Sequence, residues 1–318
     1  MVRTPLRRRA LLVTILTVAT WTTACSGIGT TASPNATKSA ANLPGGRIIY
    51  GAFEPSGVAL FTTNADGSHT HLLLGPELNA QVPFWSPDGR RISVVLGNPQ
   101  GVIVTAIVNP DGYNDYVLLK APDGALNFGC SGWSPDGSRV ACGRFDQDPA
   151  LNGIYTARAT DGGDLVRVTT APPGSVEAPS GFSPDGSQIL FLRQNGADDE
   201  HLSLMIVNVD GSNEHAVTEQ QVGSASWSPD GTTILAGADQ SLLLVPVDGG
   251  PVTTITFEAG VVNASRAAWS PDGEWIVFTR TDSVGEDIYI VQKDGTDLRQ
   301  VTNTPNVNEE FGGWGVSQ

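Results

Sequence analysis

Ten acidic residues stand in segments that are typical of loops between short strands, and they are the residues most able to bind a ligand. They are Asp146, Asp148, Asp198, Asp199, Glu200, Asp282, Glu286, Asp287, Glu309 and Glu310. Carboxylate oxygens are the ligands that Ca²⁺ prefers, and they also attract cationic partners. A solvated acidic rim explains the same residues without any ligand. We favour the rim, because Asp146-Gln-Asp148, followed by Asn152-Gly153, lacks the spacing of a known calcium loop. Binding of Ca²⁺ stays the alternative.

The cysteines offer a second kind of chemistry. Cys130 and Cys142 flank the turn Ser134–Gly137. If Trp133 faces Arg139 across a hairpin, the same register places Cys130 opposite Cys142. We therefore predict a cross-strand disulfide, which an exported location permits. Two packed thiols are the alternative.

Catalytic patterns are weak in this chain. It has no G-x-S-x-G elbow, and its four histidines are scattered at His69, His71, His201 and His215. We therefore expect no catalytic residues, no metal and no cofactor. An enzyme site stays an alternative, because side chains from distant segments can converge in a channel.

The N-terminal segment is typical of an export signal. Arg3 and Arg7 to Arg9 precede an uncharged, largely apolar run over residues 10–24. The sequence Thr-Thr-Ala-Cys at 22–25 resembles a bacterial lipobox, which implies that Cys25 is lipidated. Residues 1–25 are thus expected to be a lipoprotein-type signal peptide, with plain secretion and an uncleaved anchor as alternatives. Residues 26–45 are rich in Ser, Thr, Ala and Asn and are expected to form a flexible tether.

The net charge of the chain limits the classes of partner that we expect. The whole chain carries a formal charge of −15, and the first 25 residues hold four of its 18 basic residues and none of its 33 acidic ones. The remainder therefore has 14 basic against 33 acidic residues, a charge of −19. Such a body is repelled by nucleic acid and by anionic lipid. We expect no nucleic-acid partner, membrane contact through a lipid anchor only, and a monomer.

A repeated pentapeptide identifies the elements that must position these residues. WSPDG or FSPDG occurs five times, and a final tryptophan arrives on the same spacing. The repeat aromatics are Trp85, Trp133, Phe182, Trp227, Trp269 and Trp314. Their spacing is about 45 residues, a period that indicates a repeat architecture. Between Trp269 and Trp314, three strand-like stretches, 275–280, 288–292 and 298–302, lead to the next aromatic. Each repeat is therefore predicted to form four short strands with almost no helix.

WSPDG followed by a strand, an x-x-DG turn and an L-x-x-V-T-like strand resembles the repeats of TolB-type, WD40-like β-propellers. The resemblance covers residues 46–318 and implies an all-β, six-bladed β-propeller with four antiparallel strands per blade. Residues 47–52 would pair with the segment around Trp314 and close the ring within one blade. TolB itself adds an N-terminal α/β domain, for which residues 26–45 are too few. That protein's role and partner are therefore not transferred.

The repeats also predict two unlike faces. The SPDG and x-x-DG turns are two connections apart, so they share one nearly uniform face, whereas the acidic, variable loops gather on the other. Loops on a rigid scaffold carry function. We predict a membrane-tethered binding or scaffold protein of the cell envelope that engages another exported protein through its variable face. The alternatives are a propeller enzyme acting on a sugar, lactone or peptide, and a Ca²⁺-dependent binding module.

Overall fold

The SPDG turn folds on itself through its own side chains. At Ser134–Gly137 the serine hydroxyl donates a hydrogen bond to Asp136 Oδ1 (2.5 Å) and accepts one from the backbone N–H of Arg139 (2.9 Å). Gly137 takes a left-handed φ of +67° that L side chains rarely adopt. The other four copies repeat the serine–aspartate bond. Backbone geometry thus explains the pentapeptide without any ligand.

The computed structural model describes residues 43–97, 103–111, 117–119, 121–196, 202–218, 220–238, 241–257, 266–281, 285–305 and 307–316. The predicted signal peptide and most of the predicted tether lie outside these residues. The described part from Leu43 onward belongs to one compact unit, Asn42–Gln318. Nowhere in it is there a helix long and apolar enough to cross a membrane.

The described residues form short strands with almost no helix, as predicted. In chain order the strands are β1 (Arg47–Glu54), β2 (Gly57–Thr63), β3 (His71–Leu74), β4 (Ala80–Trp85), β5 (Ile92–Gly97), β6 (Ile103–Val108), β7 (Val117–Leu118), β8 (Ala125–Trp133), β9 (Arg139–Asp146), β10 (Gly153–Arg158), β11 (Val166–Arg167), β12 (Val176–Phe182), β13 (Gln188–Gln194), β14 (Leu202–Asn208), β15 (His215–Thr218), β16 (Ser224–Trp227), β17 (Thr233–Ala238), β18 (Ser241–Pro246), β19 (Thr253–Thr256), β20 (Ala267–Trp269), β21 (Trp275–Thr281), β22 (Glu286–Gln292), β23 (Arg299–Gln300) and β24 (Asn308–Gly315). The helical turns among these residues are two short 3-10 segments, Pro76–Leu78 and Pro149–Leu151.

The strands assemble into an all-β propeller made of antiparallel four-stranded units. Four sheets have four strands each, in the orders β24-β1-β2-β3, β12-β13-β14-β15, β16-β17-β18-β19 and β20-β21-β22-β23. Strands β4 to β11 share one eight-stranded sheet. The hydrogen-bonded sheets are therefore five, whereas the sequence predicted six separate blades. Within the described residues, one parallel pair, Ile103 with Asn127, joins the two halves of the larger sheet.

The predicted pairing of the chain's two ends is confirmed. Strand β1 pairs antiparallel with β24, with Ile48 opposite Trp314 and Phe53 opposite Asn308. The first sheet therefore takes its innermost strand from the end of the chain and its other three strands from the beginning. This pairing covers one edge of β1 that would otherwise be exposed.

The repeat aromatics pack between neighbouring sheets. Trp314 of the first sheet lies in a cluster with Trp275 and Val277 of β21, and Trp269 packs with Leu235 and Leu242 of the preceding sheet. The aromatic is thus a packing wedge between adjacent units, which agrees with the structural interpretation of the repeat.

The cysteine hairpin differs from its predicted register at one point. Trp133 pairs with Val140 rather than with Arg139. A bulge between Ser131 and Trp133 then shifts the register, so that Cys130 still lies opposite Cys142. Both cysteines are fully buried, and their sulfurs are joined at 2.05 Å.

Candidate functional site

The edge of the propeller opposite the SPDG turns carries the predicted acidic residues that the structure describes. The innermost strands β12 and β24 run toward their repeat aromatics, so Glu177 and Glu309 near their starts lie at this opposite edge. Glu286 and Asp287 begin β22 at the same edge. We call this edge, together with the loops that leave it, the variable face. Asp198, Asp199, Glu200 and Asp282 lie outside the described residues.

Asp146 and Asp148 hold their own loop together. Asp146 is buried, and its carboxylate accepts hydrogen bonds from Arg144 Nη2 (2.6 Å) and from the backbone N–H of Asp148 (3.0 Å). Burial raises the pKa of Asp146, but these bonds outweigh it and keep the pKa below its usual range. Asp148 caps the 3-10 turn by accepting a bond from the N–H of Ala150. The expected solvated rim is therefore wrong for Asp146, because its oxygens serve internal donors.

A hydrogen-bonded charge network surrounds the buried Glu177, a residue that no sequence motif singles out. Arg193 Nε donates to Glu177 Oε1 (2.7 Å), and Arg193 Nη1 reaches Glu214 Oε1 (2.7 Å). The hydroxyl of Thr169 donates to Glu177 Oε2 and accepts a bond from the N–H of Ile154. We call these groups, Glu177, Arg193, Thr169 and Glu214, the Glu177 site. Every carboxylate oxygen of Glu177 has a donor.

The second buried glutamate, Glu309, has a different neighbourhood. It is 2% exposed, and among the described residues its Oε2 has no hydrogen-bond partner. Burial raises the pKa of Glu309 and the charge of Asp287 raises it further, while Thr302 and Thr304 act in the opposite sense without outweighing burial. Ala52 lies directly across the strand pair. We call Glu309, Ala52, Asp287 and Thr302 the Glu309 site.

The two sites occupy the same place in the repeat. Glu177 and Glu309 each stand five residues before the repeat aromatic of their strand. Each strand has a bulge between the glutamate and that aromatic. Across the strand pair, Glu177 faces Arg193, whereas Glu309 faces Ala52. The equivalent threonines act alike, because Thr302 accepts a bond from a backbone N–H of the neighbouring strand, as Thr169 does.

A tyrosine lies close to the Glu309 carboxyl. Burial, followed by the charge of Glu309, raises the pKa of Tyr50 to about 12. Its ring stacks on Phe61 with centroids 5.6 Å apart. The wall of the Glu309 site on this side is therefore aromatic.

Glu310 and Glu286 form a neighbouring pair. Arg266 Nε contacts Glu310 Oε1 at 2.5 Å, and the hydroxyl of Thr281 donates to Glu286 Oε1 at 3.1 Å. Burial raises the pKa of both carboxyls; the charge of Glu286 adds to this effect on Glu310, while Arg266 opposes it. Four of the predicted acids, Glu286, Asp287, Glu309 and Glu310, thus come together where β22 and β24 begin. Asp287 and Glu309 are buried, so these two do not form a solvated rim either.

Sequence reasoning missed Glu177, Arg193 and Arg266 because their roles depend on strand register. One signal could have found the first two, namely the glutamate five residues before the aromatic in both strands. Among the described residues no group of three or more His, Cys, Asp or Glu side chains is arranged to hold a metal ion.

Comparison with known proteins places these features in a family. A family model described as the TolB beta propeller domain matches residues 91–312. The solved structure of TolB from Acinetobacter baumannii is similar with a TM-score of 0.67 and 17% identity, over 85% of this chain and 68% of that one. The structure described as a putative TolB from Agrobacterium tumefaciens has a TM-score of 0.63 and 20% identity, over 84% of this chain and 98% of that one. At these identities the two structures show the shared fold alone.

A curated relative carries an enzyme name. The chain is 31% identical over 165 residues to a Bacillus subtilis protein described as the uncharacterized peptidase YuxL. The match covers 50% of this chain and 23% of the Bacillus protein. The chain thus spans less than a quarter of that relative's length.

Proposed function

The chain belongs to the TolB β-propeller domain family, and on that basis we propose that it is an extracytoplasmic binding or scaffold propeller that engages a protein partner through its variable face. One observation carries the proposal, the contrast between the two edges of the propeller. The SPDG turns use their serine and aspartate side chains in hydrogen bonds within the turn. The opposite edge brings together the acidic side chains of Glu286, Asp287, Glu309 and Glu310 from two neighbouring units. Exposed apolar residues accompany them there, namely Phe53 (38% exposed) and Leu126 (43% exposed).

We count six blades. The eight-stranded sheet consists of two antiparallel groups, β4 to β7 and β8 to β11, that meet through one parallel pair. Each group has the strand order of the four separate units. Counting them as two blades gives every repeat aromatic one blade.

We also propose that the chain is exported and held at a bacterial membrane by a lipid on Cys25, with residues 26–45 as the tether. The basic and apolar N-terminal segment and the Thr-Thr-Ala-Cys sequence support this. Its charge of −19 beyond residue 25 gives the body no attraction for anionic lipid. Mass spectrometry of the purified chain tests the lipid directly, and an unmodified Cys25 would contradict it.

Site-specific photo-crosslinking on intact cells tests the binding face. A benzophenone amino acid replaces Phe53 or Leu126 on the variable face, and Val247 or Val316 near the SPDG turns as matched controls. The controls are 39% and 40% exposed, so reactivity differs by face rather than by accessibility. We expect the same partner adduct from both variable-face positions and from neither control. Adducts from the control positions alone would overturn the assignment of the face.

The enzyme alternative rests on the name of the Bacillus relative. Purified chain that hydrolyses peptides without any partner, and loses this activity in one carboxylate variant, would favour it over binding.

A further inference from the structure

Buried carboxylates need a counter-charge or a proton, and the two equivalent glutamates of this propeller meet that need differently. Taking an ionised carboxyl out of water is costly unless it is paired and hydrogen-bonded. Glu177 has Arg193, whereas Glu309 faces Ala52 and leaves Oε2 without a partner. The difference lies in one side chain at one repeat position.

The Glu177 site shows what an arginine at this position can do. The guanidinium of Arg193 bonds the buried Glu177 and also reaches Glu214, whose side chain is 33% exposed. One arginine side chain therefore spans the distance from the buried carboxylate to solvent. Phe191 lies under the guanidinium, 5.3 Å from it.

The Glu309 site offers matching surroundings for the same group. The Glu309 carboxyl lies near Asp287, whose oxygens accept bonds from Gln300 Nε2 and from the N–H of Thr304 and which faces Arg280 across its strand pair. Tyr50 stands at the repeat position of Phe191. A guanidinium bonds carboxylates in a planar bidentate fork, which an ammonium cannot form, and it also stacks on aromatic rings. Phe53 and Glu54, next to Ala52 at the end of β1, are exposed at the variable face.

We propose that the Glu309 site receives an arginine side chain of the protein partner, which pairs with Glu309 where Arg193 pairs with Glu177 in the equivalent unit. This inference rests on the proposed binding function and names the chemistry of its contact. The chain thus presents an anionic socket that its own sequence fills in one unit and leaves for the partner in another.

A small-molecule probe tests the socket without the partner. N-acetyl-arginine amide is titrated into the purified chain, with N-acetyl-citrulline amide as the isosteric neutral control. The readouts are the melting temperature and the ¹³C-methyl signal of Ala52. We expect a saturable rise in melting temperature and a shift of the Ala52 signal with the arginine probe, and at least a several-fold weaker response with citrulline.

Two variants make the result specific. Glu309→Gln removes the charge, and Ala52→Arg supplies the arginine from within the chain, so both are expected to abolish the response. Equal responses to the two probes, or an unchanged response in Glu309→Gln, would overturn the proposal. The absence of a saturable response in the unsubstituted chain would do so too, because the carboxyl would then be keeping a proton instead of binding a cation.

The partner experiment separates this inference from the proposed function. Crosslinking from Leu126 is repeated in Ala52→Arg, with Ala238→Arg as the matched control. Ala238 holds the same repeat position in β17 but packs against a cluster that contains Val222. We expect the adduct to be lost in Ala52→Arg and kept in Ala238→Arg. An adduct that persists in Ala52→Arg refutes the socket but keeps the binding face, whereas no adduct from either variable-face position in the unsubstituted chain refutes the face itself.

Discussion

The Glu177 site and the Glu309 site are two copies of one structural position with different electrostatics. Both glutamates lie near the start of an innermost strand, both are buried, and both have a threonine of the preceding unit beside them. Arg193 faces Glu177 across the strand pair in the first copy, whereas Ala52, which has no charge, faces Glu309 in the second. A repeat can therefore keep its shape while one substitution changes a stabilising pair into an unpaired acid.

Replacing Arg193 in the Glu177 site should lower the stability of the fold more than any other substitution considered. Arg193→Ala leaves the buried Glu177 without its cation, and we expect the free energy of unfolding to fall by about 3–5 kcal/mol. Urea denaturation measures the change. Arg158→Ala is the control, because Arg158 and Asp161 form a surface pair whose side chains are 51% and 56% exposed. It should leave stability unchanged. Equal effects of the two variants would remove the distinction between buried and exposed pairs.

Neutralising the two glutamates should act in opposite directions. Glu177→Gln removes the charge that Arg193 pairs with and is expected to cost about 2 kcal/mol or more. Glu309→Gln removes a buried carboxyl whose ionised form burial disfavours, and it is expected to add about 1 kcal/mol at neutral pH. Urea denaturation of both variants at pH 7.5 checks this. Destabilisation by both would mean that Glu309 also has a counter-charge.

The free energy of unfolding should depend on pH through the titration of Glu309. Its folded pKa is raised by burial, so the folded state holds its proton to a higher pH than the unfolded chain does. Its contribution is therefore fully present below the unfolded pKa and is lost as the pH rises through the folded pKa. The charge of Asp287 raises the pKa of Glu309 further. Tyr50, whose own pKa is raised to about 12, stays neutral over this range and adds no charge.

The measurement is a set of urea denaturations between pH 4 and pH 8 on the unsubstituted chain and Glu309→Gln. The stability advantage of the variant should grow with pH. An advantage that is constant over this range would show that the carboxyl titrates alike in the folded and unfolded chain.

Replacing Glu214, the outer carboxylate of the Glu177 site, should change the free energy of unfolding least. Glu214 is one-third exposed, so solvent screens its pair with Arg193. Glu214→Gln is expected to lower the free energy of unfolding by less than about 1 kcal/mol. Thermal and urea denaturation both resolve this from the effect of Glu177→Gln. A loss as large as that of Glu177→Gln would place the main partner of Arg193 at the surface.

Much of the fold was predictable, because each repeat carries the same turn residues and the same aromatic position. The SPDG turns and the repeat aromatics as packing wedges follow from turn residues and spacing. The pairing of residues 47–52 with the segment around Trp314 follows from the resemblance to propeller repeats. The register of Trp133 was wrong by one residue because a bulge at Gly132 has no strong local signal. The five hydrogen-bonded sheets likewise depend on one parallel contact between β6 and β8, which no repeat pattern contains.

The candidate site was only partly predictable. A place in a loop was the criterion for choosing acids, and Glu309 and Asp287 were among those chosen. The expectation of a solvated rim was wrong for both, because burial depends on what packs over a strand end. Glu177 and Arg193 were missed, since a salt bridge across strands requires the register of both. Ala52 shows no chemistry by itself and gains meaning only when it is compared with Arg193.

A double-mutant cycle between positions 52 and 309 decides whether the two sites are chemically equivalent. Ala52→Arg, Glu309→Gln and the double variant are unfolded in urea at pH 7.5. We predict that Ala52→Arg stabilises the chain that keeps Glu309 and destabilises the chain that already carries Glu309→Gln, with a coupling of about 1–3 kcal/mol. The same effect of Ala52→Arg in both backgrounds would show that the introduced arginine and the glutamate do not pair, and the likeness between the two sites would then be one of position only.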